Sequence, residues 1–280
     1  MIIRQSPAKV NLFLRVLRKR YDGYHDILSL MQKISLYDEI RFDLKGEGVK
    51  LICPGGMVPE NENNIVYRAA EAILSNGSGH SGVEITIHKK IPVAAGLGGG
   101  SSNAATTLVT LNEMTGGRYS TEDLMKIGAG LGADVPFFVL GKTSLVSGIG
   151  DRIKPVDGIP KLWFILVNPG FEVTTRDIYE NLKLGLTKEP IKYRMPRFTT
   201  VTHVVKQLYN DLEKVSFRFY PVLSDIKELL TANGALGSLM SGSGPTIFGI
   251  FRSEAEAERA ESKLQKAWTG TGSVFRAYSI

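Results

Sequence analysis

Alternation is the first pattern along the chain. Val83, Ile85 and Ile87 alternate with Glu84, Thr86 and His88, and Ile40, Phe42 and Leu44 alternate with polar neighbours in the same way. Both stretches predict strands with one buried face. The unbroken apolar runs 162–167 and 247–251 predict strands buried on both faces. Helical signals are as clear. Asn63 or Asn64 caps a helix that starts at Ile65 and stops at Gly77. Ser101 or Ser102 caps one that starts at Asn103 and stops at Gly116 and Gly117. Ser253 with Glu256 forms a capping box ahead of a helix reaching about Trp268. The elements interleave without strict βαβ alternation, which predicts an α+β fold. The stretch 154–160, dotted with proline and glycine, divides the chain into segments 1–155 and 156–280. There is no internal repeat and no low-complexity segment.

Composition narrows the class without naming a function. At 280 residues, 43% hydrophobic and 22% charged, the chain has the make-up of a globular protein rather than a disordered, collagen-like or disulfide-stapled one. A single cysteine, Cys53, forms no internal disulfide, which points to a reducing cytoplasm. The longest aliphatic and aromatic run, 162–167, is far short of the about 20 residues that a membrane-spanning helix needs. The N-terminal residues lack the apolar core of a signal peptide. The net charge of +6 suits an anionic small molecule as well as nucleic acid. No nucleic-acid-reading module is present, and the basic cluster Arg18, Lys19 and Arg20 reads as a solvated turn. The expected partner is therefore a small molecule, with neither nucleic acid nor membrane.

Glycines carry the first chemical signal. Gly96, Gly98, Gly99 and Gly100 crowd five positions between a predicted strand and a predicted helix, with Ser101 and Ser102 directly after them. Glycine lets the backbone take positive φ and bring its N–H groups close to a ligand, and the helix start adds unpaired N–H groups. Together these make a phosphate cradle. Two other glycine motifs fail on context. Gly141, Lys142 and Thr143 resemble the end of a Walker A loop, but Pro136 stands where its first glycine belongs. Gly128, Gly130 and Ala133 match the dinucleotide pattern by letter, yet follow a predicted helix and precede a predicted strand in 135–140, the reverse of the required order.

Three separated segments together resemble the GHMP kinase superfamily: Pro7, Ala8, Lys9, Val10, Asn11 and Leu12; the glycine-rich loop at 92–103; and 237–246, with Ser241, Gly242, Ser243 and Gly244. The resemblance runs from the first strand to the last helix. Gly23, Tyr24 and His25 with Leu28, the triple glycine followed by Ser101, Ser102 and Asn103, and Gly132, Ala133, Asp134, Val135, Pro136 and Phe137 narrow it further. They resemble a member whose substrate carries cytidine diphosphate.

The resemblance implies a two-lobed α+β fold whose N-terminal lobe is like a domain of a small-subunit ribosomal protein, with the active site in the cleft between the lobes. It implies ATP with Mg²⁺ as phosphoryl donor, a hydroxyl acceptor, and a monomer or homodimer. Asp134 becomes the general base, where by itself it is as well read as a cap or turn residue. Lys9, on its own merely a strand lysine, becomes the cation beside that base, favouring the ionised aspartate or holding the hydroxyl and the developing charge. Asn11 shares the strand face of Lys9 and contacts substrate. Asn64, a helix cap in any case, contacts adenosine. Pro92, Val93, Ala94, Ala95, Gly96, Leu97, Gly98, Gly99, Gly100, Ser101, Ser102 and Asn103 bind ATP. Tyr24 and His25 receive the cytosine end, Tyr179 its other face, and Thr175 the substrate as well. The loop at Ser241 to Gly244, otherwise a simple β-turn, lines the cleft.

No metal ligand is assigned. After the glycine loop the helix offers no acid before Glu113, and the histidines at 25, 80, 88 and 203 lack metal-binding spacing. Magnesium is expected to arrive on ATP, with Ser102 or water completing its shell. The alternatives are a related kinase of homoserine, mevalonate or a sugar, or a non-catalytic binding protein of the same fold.

Overall fold

Two long strands open the chain, β1 (Ile2–Lys19) and β2 (His25–Asp43). They belong to a computed structural model that describes residues 1–75, 82–182, 198–268 and 270–280. The described residues form two compact units that interleave along the sequence. One comprises Met1–Ala8, Leu36–Val93 and Gly98–Lys142; the other comprises Lys9–Ser35, Ala94–Leu97 and Thr143–Ile280. The stretch 154–160 lies inside the second unit. Both units mix helices and strands, as an α+β chain should.

In the first unit, β4 (Gly82–His88) pairs with β3 (Gly48–Ile52) in parallel and with β2 antiparallel, setting Ile40 opposite Ile87 and Phe42 opposite Ile85. All four side chains are buried, as their alternation predicts, and Leu44 falls just outside the strand. Four helices accompany these strands: α1 (Ile65–Leu74), α2 (Gly99–Met114), α3 (Thr121–Leu131) and α4 (Val135–Leu140). Asn64 caps α1, its side chain accepting from the Val66 N–H at 2.9 Å. The expected stop at Gly77 lies outside the described residues. α2 packs against α1, α3 and α4, so its small side chains, Ala104 and Ala105 among them, are buried nearly all round.

Two expectations are corrected here. α2 begins at Gly99, with Gly98 as its N-cap, so Ser101 and Ser102 lie in the first turn and cap nothing. Glycines are poor helix formers, and a periodicity reading starts after them. Residues 135–140 form helix α4 rather than a strand. The apolar run hid the start signal, Pro136 in the first turn, where its fixed φ favours a helix.

In the second unit, β5 (Ser144–Gly148) pairs with β2 and with β6 (Arg152–Pro155), and β8 (Tyr209–Asn210) pairs with β1 at Phe13 and Leu14. A separate antiparallel sheet has the order β11-β7-β10-β9, from β7 (Trp163–Asn168), β9 (Gly237–Met240), β10 (Ile247–Phe251) and β11 (Ser273–Tyr278). The two apolar runs are its central strands, β7 and β10. On one face Ile165, Val167, Ile247 and Phe251 share a core with α8 (Val222–Ala232) and α9 (Glu254–Ala267). Phe164 and Phe248 meet edge to face at 5.7 Å, both fully buried. Shorter helices α5 (Thr175–Glu180), α6 (Val201–Lys206) and α7 (Glu213–Phe219) complete the unit. At α9 the Ser253 hydroxyl accepts from the Glu256 N–H at 3.3 Å, while the Glu256 carboxylate accepts from the Arg252 N–H, one residue ahead of the expected capping box.

Phe164→Ala removes half of the Phe164–Phe248 pair and leaves a cavity between central strands. Its expected cost is about 3–5 kcal/mol, measured as a loss of unfolding free energy in urea.

Candidate functional site

In the first unit the site grows from helix starts. Gly98 takes φ +68°, which turns the chain straight into α2. The N–H groups of Gly99, Gly100 and Ser101 then have no intrahelical acceptor and form the positive end of the helix. Gly132, just ahead of α4, leaves room for two neighbours: a β-carbon there would lie 3.2 Å from Ile65 at the start of α1 and 3.7 Å from the Ser101 hydroxyl. The starts of α1, α2 and α4 therefore converge, which is the electrostatic setting of an anion site. Asp134 stands at the N-cap position of α4, half-buried, and its carboxylate makes no capping hydrogen bond.

Beneath the loop lies a network that the sequence patterns missed. Asp38 is fully buried, and its carboxylate accepts from the backbone N–H groups of Lys90 (2.7 Å) and Ile91 (2.9 Å), from Asn103 Nδ2 (2.9 Å) and from Lys89 Nζ. Asn103 Nδ2 also donates to the Ser6 hydroxyl, which donates to Ser102 Oγ at 2.8 Å. Ser102 and Asn103, expected at the phosphates, are thus enclosed with their side chains engaged, and Ser101 is the half-buried hydroxyl of that turn.

In the second unit, Lys9 is 4% exposed rather than a surface lysine. Its ammonium donates to Asn11 Oδ1 at 2.7 Å; Asn11 Nδ2 donates to Ser29 Oγ, and Ser29 Oγ donates to the Phe13 carbonyl, both at 2.7 Å. A buried ammonium is costly unless paired, so this chain both satisfies and aims it. The Lys9 N–H donates to the Leu97 carbonyl at 2.9 Å. The Ser241 hydroxyl donates to the Gly96 carbonyl at 2.9 Å, and Asn210 Nδ2 donates to the Met240 and Gly242 carbonyls. The loop at Ser241 to Gly244 is therefore no free turn. Thr175 and Ser243 share a hydrogen bond of 2.8 Å.

One turn along α5, the Tyr179 ring meets the His25 ring at 5.1 Å, tilted by 40°. A base between two rings needs about 7 Å, twice a van der Waals contact, so the rings would have to part for a base to enter between these two. Burial and the Lys19 charge hold the His25 pKa below its ordinary 6.5, leaving a neutral imidazole at pH 7. Tyr24 is 62% exposed in the preceding turn. There Arg18 pairs with Asp26 and Arg20 with Asp22 and Asp26, so most of the basic cluster is neutralised locally. These arginines hold the carboxyls of Asp22 and Asp26 below the usual carboxylate range. Among the described residues no group of three or more His, Cys, Asp or Glu could hold a metal ion, and no helix is long and apolar enough to cross a membrane.

The model of the GHMP kinase N-terminal domain matches residues 64–142, and that of the GHMP kinase C-terminal domain matches residues 203–270. The chain belongs to the GHMP kinase family. This GHMP kinase is 58% identical over 275 residues, 98% of each chain, to the 4-diphosphocytidyl-2-C-methyl-D-erythritol kinase of Syntrophus aciditrophicus. It is 48% identical to the kinase of the same name from Geobacter sulfurreducens, over 94% of this chain and 95% of that one. It is also similar to the crystal structure of a 4-(cytidine 5'-diphospho)-2C-methyl-D-erythritol kinase, with a TM-score of 0.84, 34% identity and 99% of each chain covered.

The GHMP kinase loop has a testable geometric constraint. Gly96 holds φ +74°, and a β-carbon there would lie 2.1 Å from the Ser241 carbonyl oxygen. At Gly100, inside α2, the nearest atom is 3.9 Å away. Gly96→Ala is expected to cost about 1–3 kcal/mol through strain and overpacking, read as a lowered melting temperature. Gly100→Ala should leave the melting temperature unchanged or raise it.

Proposed function

We propose that this GHMP kinase transfers the γ-phosphoryl group of ATP to the 2-hydroxyl of 4-diphosphocytidyl-2-C-methyl-D-erythritol. The products are the 2-phosphate and ADP, in the methylerythritol phosphate route to isoprenoids. The observation that carries this reading is 58% identity, over nearly the whole of both chains, to a kinase of that name. We infer a cytoplasmic enzyme, acting as a monomer or homodimer, with its N- and C-terminal kinase segments at 1–155 and 156–280.

The residues divide the work. Asp134 takes the proton from the acceptor hydroxyl, whose oxygen attacks the γ-phosphorus as ADP leaves. Lys9, aimed by Asn11 and Ser29, stabilises the negative charge of the transferring group. Backbone N–H groups of the loop at 92–103 cradle the phosphates at the start of α2, and Asn64 receives adenosine while capping α1. Asn11 and Thr175 contact the acceptor. Tyr24, His25 and Tyr179 receive the cytosine end, and the neutral imidazole keeps both a donor and an acceptor for the base edge. Mg²⁺ would come with the nucleotide, with Ser101 rather than the enclosed Ser102 as the nearby hydroxyl, and when bound would draw charge from the phosphates.

ADP release with Mg·ATP tests the reading, with 4-diphosphocytidyl-2-C-methyl-D-erythritol, homoserine, mevalonate and galactose as parallel acceptors. Stimulation by the cytidyl compound alone is expected; stimulation by another acceptor instead overturns the substrate. Asp134→Asn and Lys9→Ala should each lower turnover by about 10² or more with the melting temperature preserved, and near-normal turnover removes the residue from its role. The KM for the cytidyl substrate should stay flat above pH 7 and rise only as acidification protonates His25. Lys19→Gln removes a charge that opposes protonation, so it should move that rise to higher pH.

A further inference from the structure

We propose that Asp38 is a positioning residue that closes the base of the glycine-rich loop and thereby sets ATP affinity. The proposal rests on the ATP reading above. One oxygen, Oδ1, takes the backbone N–H groups of Lys90 and Ile91, the residues that lead into the loop. The other, Oδ2, takes Asn103 Nδ2, where the loop has become α2, and Lys89 Nζ. Both ends of the segment 92–102 are thus tied to a single carboxylate. The Lys89 ammonium also donates to Asn103 Oδ1 at 3.2 Å, so lysine, aspartate and asparagine form a closed triangle.

Stability alone is a poor reason for this arrangement. The side chains of Asp38 and Lys89 are 0% and 3% exposed, and burying such a pair costs about as much as its attraction returns unless every polar atom is satisfied. Here each carboxylate oxygen takes two donors, which converts a costly pair into a rigid one. The ammonium also explains a glycine. A β-carbon at Gly99 would lie 3.2 Å from Lys89 Nζ and 3.0 Å from Ile91 Cγ2, so the first residue of α2 is seated on the clamp. Displacing the carboxylate would release both flanks of the loop and the helix start whose N–H groups face the phosphates.

The test compares wild type, Asp38→Asn and Asp38→Asn/Asn103→Asp. The first variant sets an amide Nδ2 against the two donors that Oδ2 now accepts. The second returns a carboxylate to the same triangle, at the corner that Asn103 occupies. Direct ATP titration and steady-state kinetics with the cytidyl acceptor are read at a temperature where all are folded. Asp38→Asn should weaken ATP binding at least tenfold and raise the KM for ATP, leave the KM for the cytidyl acceptor within twofold, and be largely rescued by the double variant. Should Asp38→Asn fail to fold, Asn103→Ala keeps the ion pair and removes the bonds that Asn103 makes with Asp38, Lys89 and Ser6, with a severalfold loss of ATP affinity and no change in the KM for the cytidyl acceptor expected. Unchanged ATP affinity in the folded variants, or equal losses for both substrates, overturns the proposal. Wild type that binds no ATP overturns the functional reading and this inference together; wild-type binding that the variants retain overturns this inference alone.

Discussion

A carboxylate with no access to water must find its hydrogen-bond donors inside the protein, and the first unit is arranged around meeting that demand for Asp38. Lys89, just past the end of β4, supplies its ammonium, the next two residues their backbone N–H groups, and α2 an asparagine. Those partners tie the start of α2 to the strand end through Asn103. Gly98 turns left-handed there, and a β-carbon on the first helical residue would crowd Lys89 and Ile91. The chemistry expected of the loop follows from this constraint, because backbone groups present themselves to a ligand only if the chain that carries them is held.

The second unit solves a related problem with hydroxyls. Lys9 is fixed through Asn11 and Ser29, and the serine-glycine loop after β9 grips Gly96 through Ser241 and α5 through Ser243. Small polar residues suit this role because they bring two backbones close enough to share hydrogen bonds directly. The α5 segment then carries Thr175 and Tyr179 one turn apart, linking that loop to the ring of His25.

Much of this was legible from residue patterns. The alternating and unbroken apolar runs located β4, the end of β2, β7 and β10, because burial on one or both faces writes itself into period two or into continuity. Asn64 and Ser253 read correctly as caps, since their chemistry is local. Helix starts made of glycine or proline did not read, at Gly98 and at Pro136, because such residues stop a helix in one place and begin it in another. Asp38 left a sign that was available. Ile34, Leu36, Ile40 and Phe42 all point inward in β2, and Asp38 sits in the same register. A carboxylate among them announces a buried partner, though only the fold says that Lys89 and Asn103 provide it.

The meeting of three helix starts around Gly132 has an evolutionary consequence. Ile65, Ser101 and the space above Gly132 share one small volume, and Ala104 and Ala105 lie buried along the same helix, α2. Positions packed this closely do not vary independently. A bulkier residue at Gly132, or at the buried Ala104 or Ala105, is accommodated best if a neighbour shrinks with it, so changes at these positions are expected to be epistatic.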